Sequence, residues 1–184
     1  MVTPPWERYE AGPGEIVVVM DPGMAFGTGT HETTRLCMAL MEKYPPAGKR
    51  LLDVGTGSGI LSIAASKMGA AECFAYDIDP VAVRVAEENV VANGCGNITC
   101  GVSDLLYGVD KKAPYGYVCA NIVADILIRM APDLAACLAP GAVVITSGII
   151  EGRERDVLSA MEAGGFTRID TLHEADWSAM VFEK

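Results

Sequence analysis

Hydrophobic and polar residues follow two recurring patterns along this chain. Short apolar runs rich in β-branched residues predict strands, and longer stretches with apolar residues three or four positions apart predict helices. The predicted strands cover residues 15–20, 51–54, 73–76, 97–102, 115–121, 142–147, 166–172 and 177–182. The predicted helices cover residues 31–44, 60–68, 80–93, 122–138 (which Pro132 can break) and 153–163.

Predicted strands and helices alternate along most of the chain, and this order predicts the fold class. Right-handed crossovers between successive strands give a parallel sheet with helices on both faces. Because only a short link separates the last two strands, they must form an antiparallel hairpin. We therefore predict an α/β fold with a doubly wound, mostly parallel seven-stranded sheet and a C-terminal antiparallel hairpin. Residues 1–14 are expected to form an irregular lead-in anchored by Trp6 and Tyr9, and residues 15–184 a single domain.

One stretch joins a buried strand to a helix through a turn with glycines at alternate positions, Gly55, Gly57 and Gly59. Glycine allows positive φ and lets a ligand lie against the main chain. The helix N-terminus beyond the turn offers N–H groups and a partial positive charge to an anionic ligand. We therefore expect a nucleotide-like cofactor on this turn.

The spacing of this turn indicates which cofactor to expect. A dinucleotide-binding turn reads G-x-G-x-x-G, but here the third glycine comes one residue early, at Gly59. Asp53, two places before the first glycine, matches instead the D-x-G-x-G-x-G turn of S-adenosylmethionine-dependent methyltransferases. About 20 residues on, a second strand ends in Asp77-Ile78-Asp79. A carboxylate there can accept hydrogen bonds from both ribose hydroxyls of a nucleoside cofactor. The alternative is that this strand–turn–helix binds no cofactor: its glycines would then serve packing, and its acidic residues would form a solvated turn.

Polar residues also follow two later strands of the predicted sheet. Ligands of open α/β sheets bind at the carboxyl ends of the strands. Ser103 and Asp104 follow one such strand and could recognise the adenine edge, although a helix cap or a turn would use the same residues. Asn121 ends the next strand. We therefore expect these side chains to meet Asp77 around one site.

The segment from Asp21 to Thr34 is rich in glycine and threonine and holds an apolar Phe26. This composition suits contact with a ligand, although an ordinary connector would look similar. His31 begins the helical pattern that follows. It is expected to be a structural hydrogen-bonding residue in the first turn, with a role as a base as the alternative.

Composition and charge narrow the classes of function. The chain has 184 residues, a net charge of −10 and no Lys/Arg cluster, so nucleic acid is not expected as a direct partner. The acidic surface would aid solubility or tolerate a basic protein partner. No apolar run approaches the roughly 20 residues needed to span a bilayer, and the first ten residues show no signal-peptide pattern. A cytoplasmic location is expected.

The six cysteines include no C-x-x-C pair, and His31 and His173 are far apart in the sequence. Neither a zinc site nor a disulfide framework is expected from this spacing. Reduced thiols in apolar runs fit the cytoplasm. No metal is expected at the site.

Together these motifs resemble the ribosomal protein L11 methyltransferase family. The resemblance is carried by residues 21–34, 53–59, 77–80 and 121–124. It implies a class I, Rossmann-like methyltransferase that transfers methyl groups from S-adenosylmethionine to amino groups, on lysine side chains or an N-terminus, of a large-subunit ribosomal protein. Family members carry a further N-terminal domain that binds this substrate, and we expect the present chain to be the catalytic domain alone.

The resemblance also implies a set of cofactor contacts. Thr34, Gly55, Asp77 and Asn121 would contact S-adenosylmethionine, with Phe26 and Thr28 closing over it. The expected cofactor site is completed by Gly57, Ile78 and Asp104.

Asn121 is the candidate catalytic residue. A neutral amine must attack the methyl group, and a lysine with a pKa near 10.4 needs about 4–5 kcal/mol to lose its proton at pH 7. The side-chain oxygen of Asn121 can accept an amine N–H and aim the lone pair, so that proximity and alignment supply most of the acceleration. The alternative for Asn121 is a helix N-cap, and the two roles are compatible.

Three other functions remain as alternatives. A glutamine or small-molecule methyltransferase is one, although glutamine-modifying enzymes show N-P-P-Y where this chain has Asn121-Ile122-Val123-Ala124. A cofactor-binding module without activity is the second. The third is an NAD-dependent oxidoreductase, which the glycine spacing and the C-terminal hairpin disfavour.

Overall fold

The computed structural model describes residues 1–4, 6–20 and 31–184. Numbered in chain order, its strands are β1 Val2–Thr3, β2 Val18–Val19, β3 Arg50–Val54, β4 Glu72–Asp77, β5 Ile98–Val102, β6 Tyr115–Asn121, β7 Leu138–Ile150, β8 Thr167–Glu174 and β9 Trp177–Glu183. Its α-helices are α1 Glu32–Lys43, α2 Ile60–Lys67, α3 Pro80–Ala92, α4 Ala124–Leu134 and α5 Glu154–Ala163.

Seven strands of the described chain form one sheet in the order β5-β4-β3-β6-β7-β9-β8. The strands from β3 to β7 are parallel to one another, whereas β9 runs antiparallel to both β7 and β8. The predicted fold class, with its parallel sheet and C-terminal hairpin, is confirmed. β7 is longer than predicted and contains an irregular step between Thr146 and Ile149.

The boundaries of α3 follow from its capping residues. Asp79 is the N-cap and its carboxylate accepts the Val81 N–H at 2.8 Å, while Pro80 occupies the first helical position. Asn93 is the C-cap. In α4, by contrast, Pro132 lies inside the helix, which continues to Leu134 before a 3₁₀ turn takes over. The predicted break therefore occurs a few residues later.

The core forms two layers, one on each face of the sheet. Side chains of α4 and α5, such as Leu127 and Met161, pack on one face, and those of α1 and α2, such as Leu40 and Ile63, pack on the other. None of the helices in the described part of the chain is long and apolar enough to cross a bilayer.

The N-terminal segment differs from the expectation. Val2–Thr3 pairs in parallel with Val18–Val19, so the lead-in is not wholly irregular and the strand predicted over 15–20 covers two residues. The predicted anchoring by two aromatic residues is wrong, because Trp6 is 70% and Tyr9 39% exposed. The Trp6 ring lies largely in solvent, and the Tyr9 hydroxyl donates to the Glu15 carboxylate at 2.7 Å.

Candidate functional site

A cavity of about 630 Å³ opens at the carboxyl ends of β3, β4 and β6. This volume is within the range of small-molecule and cofactor sites. Six of the predicted site residues line it, namely Gly55, Gly57, Asp77, Ile78, Asp104 and Asn121. The structure therefore brings together residues that lie far apart in the sequence.

Three other predicted contacts differ from these six. Thr34 is 1% exposed and lies beneath the wall of the cavity, with its hydroxyl 3.5 Å from the amide nitrogen of Asn121. Phe26 and Thr28 lie outside the described residues, so their roles stay predictions.

The glycine turn has the backbone conformation that its sequence requires. Gly55, Gly57 and Gly59 have φ of +73°, +55° and +83°, in the left-handed region that glycine adopts without steric cost. A Cβ on Gly55 would lie 2.4 Å from Cγ2 of Ile122. The turn is therefore packed so closely against the β6–α4 connection that only glycine fits at this position.

Asp77 ties the end of β4 to this turn. Its Oδ2 accepts the Gly57 N–H at 2.9 Å, and its Oδ1 accepts the Asp79 N–H at 3.0 Å. A carboxylate oxygen has a second lone pair beyond each of these bonds. Asp77 can thus hold the turn in place and still accept hydroxyl groups of a ligand in the cavity.

Asp53 has a different environment although it belongs to the same motif. It is 1% exposed, and its Oδ2 accepts the hydroxyls of Thr56 at 2.7 Å and Ser62 at 2.8 Å. Burial raises the pKa of Asp53 to about 6, although the hydroxyl donors act in the opposite direction. This carboxyl joins β3 to the first turn of α2 beneath the glycine turn, which makes it a structural residue.

The two candidates for adenine recognition have separate roles. The Ser103 hydroxyl donates to the Leu105 carbonyl at 2.8 Å and accepts the Gly108 N–H at 2.9 Å, as a turn residue does. Both candidate residues line the cavity, and Oδ1 of Asp104 accepts from Nη2 of Arg129 at 3.0 Å. The Ser103 hydroxyl is therefore used within the turn, whereas the Asp104 carboxylate is accessible from the cavity.

Asn121 ends β6 and is half-buried at the cavity wall. The N-cap of α4 is Val123, so the alternative that Asn121 caps this helix is wrong. The amide nitrogen of Asn121 faces the Thr34 hydroxyl, at a distance typical of a weak hydrogen bond. Its amide oxygen is the group that can accept from a ligand.

Several wall residues were not predicted as site residues. His31 is the N-cap of α1, where its Nδ1 accepts the Thr33 N–H at 3.3 Å, which confirms the structural hydrogen-bonding role. Its ring also lines the cavity and meets that of Trp177 edge-on, with centroids 5.2 Å apart. Trp177 begins β9. Gly148 of β7 and Arg129 of α4 line the cavity too, and neither has a local sequence signal.

The family model and the similar proteins that match this chain carry the same description. Residues 1–184 match the family model described as ribosomal protein L11 methyltransferase (PrmA). Proteins named ribosomal protein L11 methyltransferase from Heliobacterium modesticaldum and Pelotomaculum thermopropionicum are 46% and 47% identical over 98% of this chain. The chain spans 57% and 58% of the length of these two relatives.

Solved structures agree with this match. The structure of a ribosomal protein L11 methylase from Lactobacillus delbrueckii subsp. bulgaricus aligns with a TM-score of 0.90 and 33% identity, over 98% of this chain and 91% of that one. A 16S rRNA methyltransferase from T. thermophilus, solved with AdoMet and guanosine, aligns with a TM-score of 0.71 and 24% identity over 87% of this chain and 45% of that one. The latter similarity concerns the fold.

Proposed function

The chain belongs to the ribosomal protein L11 methyltransferase family, and on that premise we propose that it transfers methyl groups from S-adenosylmethionine to amino groups of a large-subunit ribosomal protein. The observation that carries the proposal is the convergence of the glycine turn, Asp77 and Asn121 on one cavity. The net charge of −10 is compatible with a basic protein substrate. Membership of this family does not support the alternative function of an NAD-dependent oxidoreductase.

The cavity has the groups that S-adenosylmethionine needs. Asp77 would accept the ribose hydroxyls, and the glycine turn would let the cofactor lie against the main chain at Gly55 and Gly57. The Ile78 side chain is 65% exposed beside Asp77 and offers an apolar surface to the adenine ring. Asp104, held by Arg129, would accept from the adenine amino group. When bound, the cofactor supplies an electrophilic methyl group on a sulfonium ion.

The acceptor amine must be neutral when it reacts. A lysine ammonium with a pKa near 10.4 loses its proton at pH 7 at a cost of about 4–5 kcal/mol. Apolar side chains on the cavity wall, including Val54, Ile122 and Trp177, disfavour the charged form through desolvation and so lower this cost. Bulk water can take the proton before the amine enters, so no protein base is required.

Asn121 is proposed to position the amine. Its amide oxygen accepts an amine N–H, while its amide nitrogen faces the Thr34 hydroxyl at 3.5 Å. Alignment of a lone pair with the methyl group converts the reaction into an effectively unimolecular step. In the proposed mechanism this alignment supplies most of the rate acceleration.

The first test is a calorimetric titration of the chain with S-adenosylmethionine, S-adenosylhomocysteine and NAD in parallel. We expect micromolar binding of the first two ligands and none of NAD. Transfer of labelled methyl groups to recombinant ribosomal protein L11 then tests the reaction itself. Binding of NAD alone would overturn the proposal, and cofactor binding without transfer would support the inactive binding module.

Asn121→Ala tests the positioning role. We expect turnover to be lost almost completely while the affinity for S-adenosylmethionine stays within a few-fold, because the variant loses the amine acceptor and keeps the glycine turn and Asp77. The matched control is Asn97→Ala, whose amide donates to the Ala70 carbonyl at 2.9 Å near the opposite end of the sheet. Turnover of Asn121→Ala equal to that of the control would remove Asn121 from the mechanism.

A further inference from the structure

β7 has an irregular step where it passes the cavity. It pairs regularly with β6 from the pair of Tyr117 and Val143 to that of Asn121 and Ser147, but its register against β9 shifts between Thr146 and Ile149. Gly148 lies in this step and has φ of +80°. A side chain at this φ would strain the backbone, so the conformation favours glycine.

Gly148 also lies very close to the connection that follows β6. A Cβ at this position would be 2.7 Å from the carbonyl oxygen of Ile122, 3.0 Å from its carbonyl carbon and 3.2 Å from its nitrogen. All three are main-chain atoms, which cannot rotate away as the end of a flexible side chain can. Any residue larger than glycine must therefore displace the peptide groups on either side of Ile122.

The same connection is held from two further directions. The Ile122 N–H donates to the Ser147 carbonyl at 3.1 Å, which fastens the connection to β7. On the opposite side, Cγ2 of Ile122 occupies the space that a Cβ on Gly55 would need, at 2.4 Å. Ile122 is thus enclosed between a glycine of the cofactor turn and a glycine of β7.

We propose that the irregular step of β7 at Gly148 positions Asn121 for methyl transfer. The step leaves room for the main chain of Ile122 and holds it by one hydrogen bond, which sets where the preceding residue, Asn121, presents its amide. Because catalysis depends on alignment, a displacement of about 1 Å costs on the order of 100-fold in rate. This inference rests on the proposed function, since it assigns Gly148 a role in the same reaction.

Two alanine variants on the same strand separate this role from general strain. Gly141 is also in β7 and has φ of +71°, but a Cβ there would meet no atom within 4 Å. Gly141→Ala and Gly148→Ala therefore share the left-handed strain, and only the second displaces Ile122. We expect Gly148→Ala to lower kcat for methylation of recombinant ribosomal protein L11 by about 100-fold. Its affinity for S-adenosylmethionine should stay within a few-fold, and Gly141→Ala should keep kcat close to that of the unmodified chain.

A third variant keeps the test valid if Gly148→Ala does not fold. Ile122→Ala removes the side chain that packs against Gly55 and loosens the same connection from the other side. It should also lower kcat more than it lowers cofactor affinity. If kcat and affinity fall together with the folded fraction in either variant, the role of the connection is structural and the proposal is wrong.

The outcomes also distinguish this inference from the proposed function. If the unmodified chain binds S-adenosylmethionine but transfers no methyl group, the proposed function fails and the positioning role fails with it. If the unmodified chain is active and Gly148→Ala is as active as Gly141→Ala, only the positioning role is overturned.

Discussion

Two carboxylates lie on either side of the glycine turn and have opposite environments. Asp77 lines the cavity and accepts two main-chain N–H groups. Asp53 is buried beneath the turn and accepts two hydroxyls. At the scale of single residues, one acidic side chain therefore stabilises the turn from below while the other remains available to a ligand.

The pKa of Asp53 predicts how stability depends on pH. Burial raises this pKa from its ordinary value of 3.8 to about 6, so between these values the folded chain holds a proton that the unfolded chain has released. Ionisation of the buried Asp53 carboxyl therefore lowers the stability of the fold progressively as pH rises through this window, by about 3 kcal/mol in total, and the effect is constant above it. Replacing it removes this dependence.

Asp53→Asn is the variant that measures the effect. Because both hydroxyls donate to the same carboxylate oxygen, an amide oxygen can still accept them. In urea unfolding, the free energy of unfolding of the variant should rise relative to that of the unmodified chain as pH increases from about 4 to 6. Ser62→Ala, which removes one donor that lowers the pKa, should extend the window upwards. Parallel pH profiles for Asp53→Asn and the unmodified chain would contradict the raised pKa.

The part of the cavity wall at the ends of β4 and β6 was predictable from the sequence because its residues follow strands. Asp77 and Asn121 end β4 and β6, and the carboxyl ends of parallel strands meet at one edge. Trp177 comes from β9 and reaches the cavity only because β9 pairs with β7. That pairing is a long-range contact, which local patterns along the chain do not reveal.

At the scale of elements, hydrogen bonds from side chains stabilise short elements whose own backbone pairing is weak. The strands β1 and β2 pair over two residues each, and so short a pair is marginal by itself. Asn93, the C-cap of α3, holds this pair by its amide. Its Oδ1 accepts the Val19 N–H at 2.9 Å and its Nδ2 donates to the Val19 carbonyl at 2.7 Å.

Asn93→Ala should therefore open the small sheet without unfolding the main one. The amides of Val18 and Met20, which donate to the carbonyls of Met1 and Thr3, should exchange at least about 10-fold faster in hydrogen exchange, because two hydrogen bonds to Val19 are lost. Amides in the middle of β6 should keep their protection. Asn93→Asp, which keeps the acceptor and loses the donor, should give an intermediate rate. Unchanged exchange at Val18 would show that Asn93 does not stabilise the pair.

The same comparison shows which elements a sequence can predict. The caps Asp79 and Asn93 marked both ends of α3, and the β-branched and aromatic run of β6 marked both of its ends. The strand β1 has two residues and no periodicity, so it was missed. Elements with caps or a full repeat are predictable locally, whereas β1 depends on a partner distant in the sequence.

At the scale of the molecule, the sheet joins two helical layers into one core. Successive residues of β9 point to opposite faces, so Met180 packs with the layer of α4 and α5, and Val181 packs with that of α1 and α2. β9 lies between β7 and β8 and is buried over most of its length. Loosening either layer must therefore affect the strand that both layers share.

Met41 of α1 and Met130 of α4 test this coupling, because they are the same residue type, fully buried, in different layers. Each methionine-to-alanine change should lower the free energy of unfolding by about 2–5 kcal/mol. Far-UV and near-UV circular dichroism should report one coincident transition in both variants, because β9 transmits the loss to the other layer. Ile169→Ala, on the outer strand β8 where the side chain is 41% exposed, should change the free energy by less than about 1 kcal/mol. Two separate transitions in either methionine variant would mean that the layers unfold independently, and that the sheet does not couple them.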